Sequence, residues 1–248
     1  MGLEQPASHH LDVCAHNIET LAAMEKVLHH PEHFFPAISI LDPYLQNTKK
    51  KIRLKWAALL HDIGKPDAMK MIDQRITFYN HDRVGLETCR DIGQRFRWSN
   101  EDINHISSLV GYHMWPFHLC NASRKGNVTT KAVLRIVKTV GDDLPGLFVI
   151  AMADSLAGRG PDRPAHIENE LVELLYRVDE VVRNQIQPVI TGPKLINGQD
   201  LIDLGLKPGP VFRDVLEDIE SKQVSGDINT RQQALDILKQ IVCDRNLL

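Results

Sequence analysis

One stretch constrains this chain more than any other: Leu54-Lys55-Trp56-Ala57-Ala58-Leu59-Leu60-His61-Asp62-Ile63-Gly64-Lys65-Pro66. Leu54, Ala57 and Ala58 form a stripe that continues into His61, and Ile52, Trp56, Leu59 and Ile63 form a second. The periodicity predicts a helix buried on nearly every side. Gly64 is expected in the left-handed conformation that closes such a helix, and Pro66 cannot continue it. His61 and Asp62 then fall in the last turn, where carbonyl ends favour a cation. An imidazole beside a carboxylate at the end of an apolar helix looks like half of a site for manganese, iron, cobalt or zinc. A hydrogen-bonded His–Asp pair that simply finishes a core helix is the other reading, since a buried charge needs some partner.

The rest of the chain supplies more such residues. A helix from about Leu11 to His29 carries His16 on a side shared with Val13, Thr20, Met24 and Val27. Pro31, Pro36 and Pro43 break the next segment, leaving one short helix near Ile38 to Gln46. Around Asp73-Gln74-Arg75 two alternating runs suggest a small hairpin, and Asn80 is placed to cap the next helix, with His81 in its first turn. Ser99 and Asp102 read as a capping box for a helix whose inner stripe is Ile103, Ile106, Val110 and His113. Residues 115–130 read as a loop that could lie over a site, with Trp115 and His118 as candidates to stack a base. A Pro145-led helix is apolar from Leu147 to Ala153 and then presents Asp154, costly there unless compensated. A long amphipathic helix runs from about Ala165 to Gln187. The texture changes near Pro188 to short helices, the last opened by a Thr230/Gln233 capping box.

Composition excludes more than it identifies. Among 248 residues, 43% are hydrophobic and 25% charged, which fits a folded protein with a full core rather than a disordered one. A net charge of -3 gives no global basic field for nucleic acid. Four cysteines without C-x-x-C spacing fit free thiols, and no stretch is long enough to span a bilayer, so a cytoplasmic protein without membrane partners is expected. Twelve histidines make a multi-histidine site worth seeking.

His16, His61, Asp62, His81, His113 and Asp154 all fall on expected helices, and all but His81 in strongly apolar surroundings. Their order, His, then His-Asp, then a distant Asp, resembles the HD superfamily of metal-dependent phosphohydrolases, and the two intervening histidines resemble its binuclear members. The segments Asp12–His16, Trp56–Pro66, Phe78–His81, Leu109–Met114 and Ala153–Ala157 are similar to the HD domain attached to bacterial tRNA nucleotidyltransferases. Thr191-Gly192, Asp200–Pro210 and Gln223–Ile228 with Thr230-Arg231 resemble the region carboxy-terminal to that domain. The nucleotidyltransferase head would need a large segment before His16, where the chain has fifteen residues, so CCA addition is not expected.

The resemblance implies an all-α helical bundle with a small hairpin after the HD motif. It implies an HD phosphohydrolase domain over residues 1–187 and a helical C-terminal region over 188–248, a folding or homodimer element or a holder of RNA. It implies divalent metal ions, two of them, among Mn, Fe, Ni, Co, Mg or Zn. His16, His61, Asp62 and Asp154 would hold one, and His81 and His113 the second, with Asp62 bridging. Water between two such ions loses a proton near neutral pH and can attack phosphorus in line. Asp62 and Lys65 are the expected catalytic residues, with Lys65 also neutralising phosphate, and Arg159 and Arg163 are further candidates for substrate contact. The expected activity is that of a phosphatase or a 2′,3′-cyclic nucleotide phosphodiesterase on phosphorylated small molecules or nucleotides. The alternative is a tRNA- or RNA-binding accessory module with a structural metal site.

Overall fold

Asp12 accepts from Ala15 N and so caps the first helix, α1 (Val13–His29), which leads into a single helical turn, α2 (Pro31–Phe34). This computed structural model describes residues 2–3, 5, 10–36, 40–126, 128–162 and 164–247. Ile38 lies outside them, and the short helix expected from it is described as α3 (Leu41–Gln46). Asn47 caps α4 (Thr48–Leu60) by accepting from Lys49 N and Lys50 N.

Helix α4 ends one residue before the His-Asp pair, so His61 is its C-cap and Asp62 lies in the turn beyond. Gly64 departs from expectation: at φ -82°, ψ -7° it is not left-handed. Its missing side chain serves a close approach instead, because a Cβ there would stand 2.2 Å from His81 O and 2.4 Å from Gly85 N. Pro66 opens a short helix, α5 (Lys65–Ala68), where its absent N–H costs nothing. The hairpin forms as β1 (Lys70–Ile72) and β2 (Arg75–Thr77), antiparallel with Ile72 opposite Arg75. Its two turn residues, Asp73 (φ 48°) and Gln74 (φ 61°), adopt the positive φ of a tight hairpin turn without an Asn-Gly pair.

Asn80 precedes α6 (His81–Arg95) in the left-handed region at φ 62°, which asparagine tolerates, and its side chain does not cap the helix as expected. Ser99 caps α7 (Asn100–Tyr112) by accepting from Asp102 N, but the Asp102 carboxylate takes the Ser99 hydroxyl and Arg53 Nε rather than closing the box. The expected loop after Trp115 is a helix over most of its length, α8 (Trp115–Arg124), because Pro116 in the first turn starts a helix rather than breaking one. Then come α9 (Thr130–Val140), a 3-10 turn (Gly141–Asp143) and α10 (Leu144–Ala157), in which every residue but Leu156 is buried. Helix α11 (Ile167–Val181) passes through a π turn (Val182–Ile186) into α12 (Gln187–Thr191). Pro188 lacks an N–H and its ring crowds the carbonyl four residues back, so the ladder widens there instead of ending.

The chain divides into two compact units, Met1–Asn127 with Thr139–Arg177, and Val128–Lys138 with Val178–Leu248, so the change of texture at Pro188 falls inside the second. In the second unit, α13 (Gly198–Asp203) and α15 (Arg231–Asp244) each open on a complete capping box, Asn197/Asp200 and the expected Thr230/Gln233. With α14 (Pro210–Val224) they close over Leu201, Val215, Ile219, Ala234 and Leu238. In the first unit α10 packs against α1, α3, α4, α7 and α8, and α6 packs against α5 and α7. The fold is all-α apart from the hairpin, and no helix among the described residues is long and apolar enough to cross a membrane.

Candidate metal centre

Three histidines are aimed by the same local device. His61 and His113 cap the C-termini of α4 and α7, where carbonyls lack helical partners, and each ring donates Nδ1–H to the carbonyl three residues back. The bonds are His61 Nδ1 to Ala58 O at 2.9 Å and His113 Nδ1 to Val110 O at 2.7 Å. His81, at the start of α6, does the same with Phe78 O at 2.8 Å. A carbonyl can only accept, so Nδ1 carries a proton in each ring and Nε2 is the nitrogen turned inward, a free ligand atom whenever the ring is neutral. His16 arrives from α1 and Asp154 from α10, joined by a 2.9 Å contact between His16 Nε2 and Asp154 Oδ1. The Gly64–Gly85 approach is what lets α6 bring His81 up to Asp62.

Asp62 is the centre of the arrangement, and its two oxygens face different partners. Oδ2 lies 3.2 Å from His61 Nε2 and 3.8 Å from His16 Nε2, while Oδ1 lies 3.2 Å from His81 Nε2 and 3.8 Å from His113 Nε2. Asp154 Oδ1 stands 3.8 Å from His61 Nε2. Two groups emerge, His16–His61–Asp62 and Asp62–His81–His113, each of which could hold a metal ion. The shorter spacings, 2.9 to 3.3 Å, match the roughly 2.8–3.4 Å between neighbouring ligands of octahedral or tetrahedral sites with bonds of about 2.0–2.1 Å, and the 3.8 Å ones exceed it by about half an ångström. The chemistry suits one too. His61 Nε2 is fully buried without a hydrogen bond, and the Nε2 atoms of His81 and His113 face each other at 3.3 Å. Two nitrogens so close must share either a proton or a metal ion, and the neighbouring Asp62 Oδ1, 3.2 Å from His81 Nε2, would serve either.

The two carboxylates dominate the electrostatics of the cluster. Burial opposes ionisation of Asp62, yet His61 and Lys65 hold its carboxyl well below the usual carboxylate range. Burial likewise opposes ionisation of Asp154, which His16 and His61 nevertheless keep low. Burial lowers His61, but Asp62 and Asp154 outweigh it and raise the ring to about 8. His113 is pushed down to about 4 by burial and by the neighbouring His61, with His81 adding to the effect. Negative charge thus concentrates on the side of Asp62 and Asp154, and neutral nitrogen on the side of His113.

Lys65 is buried, and its ammonium donates to Asp62 Oδ2 and to Gln5 Oε1, both at 2.6 Å. It also lines a pocket of about 470 Å³ that opens onto Asp62, His81 and Asp154. The pocket walls are largely apolar: Ile76 and Phe78 from the hairpin and just after it, Phe117 on α8 and Ile167 on α11, with Asn121 and Arg124 as polar members. Arg124 is tied to Glu170 by two bonds and to Asn121 by one. Arg159 does not line this pocket but a smaller one beside it, which shares Pro164, and Arg163 lies outside the described residues. Trp115 packs on Tyr112 and His118 is exposed; neither lines the pocket. Asn121 and Arg124 lie in the segment expected to cover a site, though as helix rather than loop; Phe117 was not picked out by sequence reasoning. The spacing of the three at i, i+4 and i+7 on one helix face was the available signal.

Residues 15–158 match the HD domain, a stretch that contains all six of these residues. The chain belongs to the HD domain family. HD domains bind divalent metals, in keeping with the donor set of this one. Over 94% of its length this HD protein is also similar to two curated relatives. It is 29% identical over 238 residues to the A-adding tRNA nucleotidyltransferase of Deinococcus radiodurans, of which it covers 47%. It is 28% identical over 236 residues to the CC-adding tRNA nucleotidyltransferase of Thermus thermophilus, of which it covers 46%. The chain therefore spans about half the length of these relatives.

Proposed function

We propose that this HD protein is a metal-dependent phosphohydrolase acting on nucleotides, as a phosphatase or a 2′,3′-cyclic nucleotide phosphodiesterase. The observation that carries the reading is the division of Asp62, with one oxygen toward His16 and His61 and the other toward His81 and His113. His16, His61, Asp62 and Asp154 would hold one ion; Asp62, His81 and His113 would hold a second. Bound there, divalent ions supply water activation and neutralise charge on phosphoryl oxygens. Lys65 fixes the Asp62 carboxylate and adds positive charge beside it. Phe78 and Phe117 offer flat apolar surface to a base, and the pocket volume is that of a small-molecule site, which favours a mononucleotide or a chain end. In this reading residues 1–187 form the phosphohydrolase domain and 188–248 a helical accessory region.

The test is metal analysis of protein purified without chelator, then assay against a nucleotide panel that includes 2′,3′-cyclic monophosphates. Metal-dependent phosphate release or ring opening is expected; metal-replete protein without hydrolysis of any member overturns the reading. A second reading, an RNA-binding accessory module with a structural metal site, draws support from the similarity to tRNA nucleotidyltransferases through the C-terminal region. It predicts retention of tRNA at low salt that weakens steeply as salt rises, with no hydrolysis.

A further inference from the structure

Outside the buried centre, the corner between α1 and α2 gathers a second set of ligand-type side chains. His30, Glu32 and His33 fall within four consecutive residues, and all three are exposed. His30 Nδ1 lies 3.5 Å and His33 Nε2 3.8 Å from the same atom, Glu32 Oε1. The two rings stack with centroids 5.1 Å apart and planes 14° from parallel, and the three donor atoms lie within 4.8 Å of one another.

The backbone restricts this grouping. Pro31 fixes φ between the ligands, and His33 N donates to His30 O at 3.1 Å, closing the turn that returns the second ring over the first. The distances to Glu32 exceed the roughly 2.7–3.2 Å of a good hydrogen bond. The 3.5 Å distance is close to the edge of about 3.3 Å in a tetrahedral site with bonds of about 2.0–2.1 Å, and the 3.8 Å distance comes within it by a small turn of the exposed His33 ring. Two imidazole nitrogens and one carboxylate oxygen are a donor set for borderline divalent cations, copper and zinc above magnesium or calcium. With three protein ligands, the remaining positions are left to water or to a donor from another molecule.

We propose that His30, Glu32 and His33 form a separate surface site for a borderline divalent cation such as Zn²⁺ or Cu²⁺, independent of the buried centre. Its ion exchanges freely with solvent, unlike one enclosed by His61 and Asp62, and clips the end of α1 to α2.

The experiment uses tag-free full-length protein with its buried centre loaded, titrated with Zn²⁺ alone by calorimetry and with Cu²⁺ alone by electron paramagnetic resonance. Wild type is expected to take up one additional ion per chain, removable by a weak chelator within seconds, with a Cu²⁺ spectrum split by two nitrogens. His30→Ala and His33→Ala should each abolish that uptake, and Glu32→Gln should weaken it at least tenfold, while all three keep the wild-type content of tightly held metal. His29→Ala, one residue outside the set, should bind as wild type does. Equal uptake by wild type and by His30→Ala and His33→Ala overturns the proposal, as does equal loss in His29→Ala.

Discussion

His81 Nε2 and His113 Nε2 face each other at 3.3 Å although both rings have committed their Nδ1 protons to backbone carbonyls. Two such nitrogens repel unless a proton or a metal ion lies between them, and the binuclear proposal puts a second ion there. Wild type saturated with manganese or iron is expected to carry close to two metals per chain, and His113→Ala close to one, with hydrolysis reduced by at least about 100-fold, beyond the usual cost of losing a supporting partner. Elemental analysis against protein concentration decides it. One metal in saturated wild type would remove the binuclear reading and leave the hydrolase reading standing.

Asp62 supports both groups, and Lys65 depends on it. In Asp62→Ala both ions should be lost, and the buried Lys65 ammonium is left with Gln5 alone, a defect of roughly 3–5 kcal/mol. Metal bound to the folded state stabilises it, so a chelator should lower the melting temperature of wild type. The variant, already metal-free, should melt lower and show no response to chelator. A chelator-induced drop in the variant equal to that of wild type would return Asp62 to a purely structural role.

How far the site could be read from sequence depends on how each residue is delivered. His61-Asp62 was legible because Gly64 and Pro66 punctuate an apolar helix, and Asp154 because a carboxylate interrupts a helix that is otherwise apolar all round. The pocket wall was not, because Pro116 reads as a breaker in isolation and becomes a helix start only once Met114 and Trp115 set its position. The Lys65–Gln5 bond joins residues sixty positions apart and leaves no periodic trace. Gly64 was marked correctly as special but for the wrong reason: its value lies in the backbone of α6 resting on it, a long-range fact.

That contact gives a prediction of its own. Gly64→Ala places a methyl within 2.2 Å of His81 O and 2.4 Å of Gly85 N, both backbone atoms that cannot rotate away. Helix α6 must shift, carrying His81 from Asp62, at a cost of about 1–3 kcal/mol. The variant should keep the ion expected at His16, His61, Asp62 and Asp154 and lose the other. Retention of the full wild-type metal content would show that α6 does not set the position of His81.

Asp200 carries a pH-dependent part of the stability of the second unit. Burial raises its pKa, but the backbone N–H of Asn197 at 2.8 Å and the Arg231 guanidinium reverse this and hold it below the ordinary value. A carboxylate lowered on folding contributes stability above its unfolded pKa, about 3.9, and loses it as pH falls through the folded value. Asp200→Asn keeps the shape and removes the charge, which should cost about 1 kcal/mol at pH 7. Urea unfolding monitored through amide protection in α13 should show that gap closing toward pH 3. A gap that does not change with pH would assign the role of Asp200 to shape alone.

The pocket wall separates binding from chemistry. The rings of Phe78 and Phe117 line the cavity and carry no donor or acceptor for the six histidine and aspartate side chains of the centre, so their loss should leave metal content unchanged. If they receive a base, each ring contributes about 1–3 kcal/mol of stacking, on the scale seen for single bases on aromatic side chains. Phe117→Ala is then expected to raise KM for a nucleotide by at least about fivefold with little change in kcat, and to leave both constants unchanged for an alkyl phosphate that has no ring. Phe78→Ala keeps the backbone carbonyl that holds His81 and should behave alike, with an added loss from the Lys65 ammonium that sits 5.5 Å over its ring. Equal effects on nucleotide and alkyl phosphate would mean that the aromatic wall shapes the site without recognising a base.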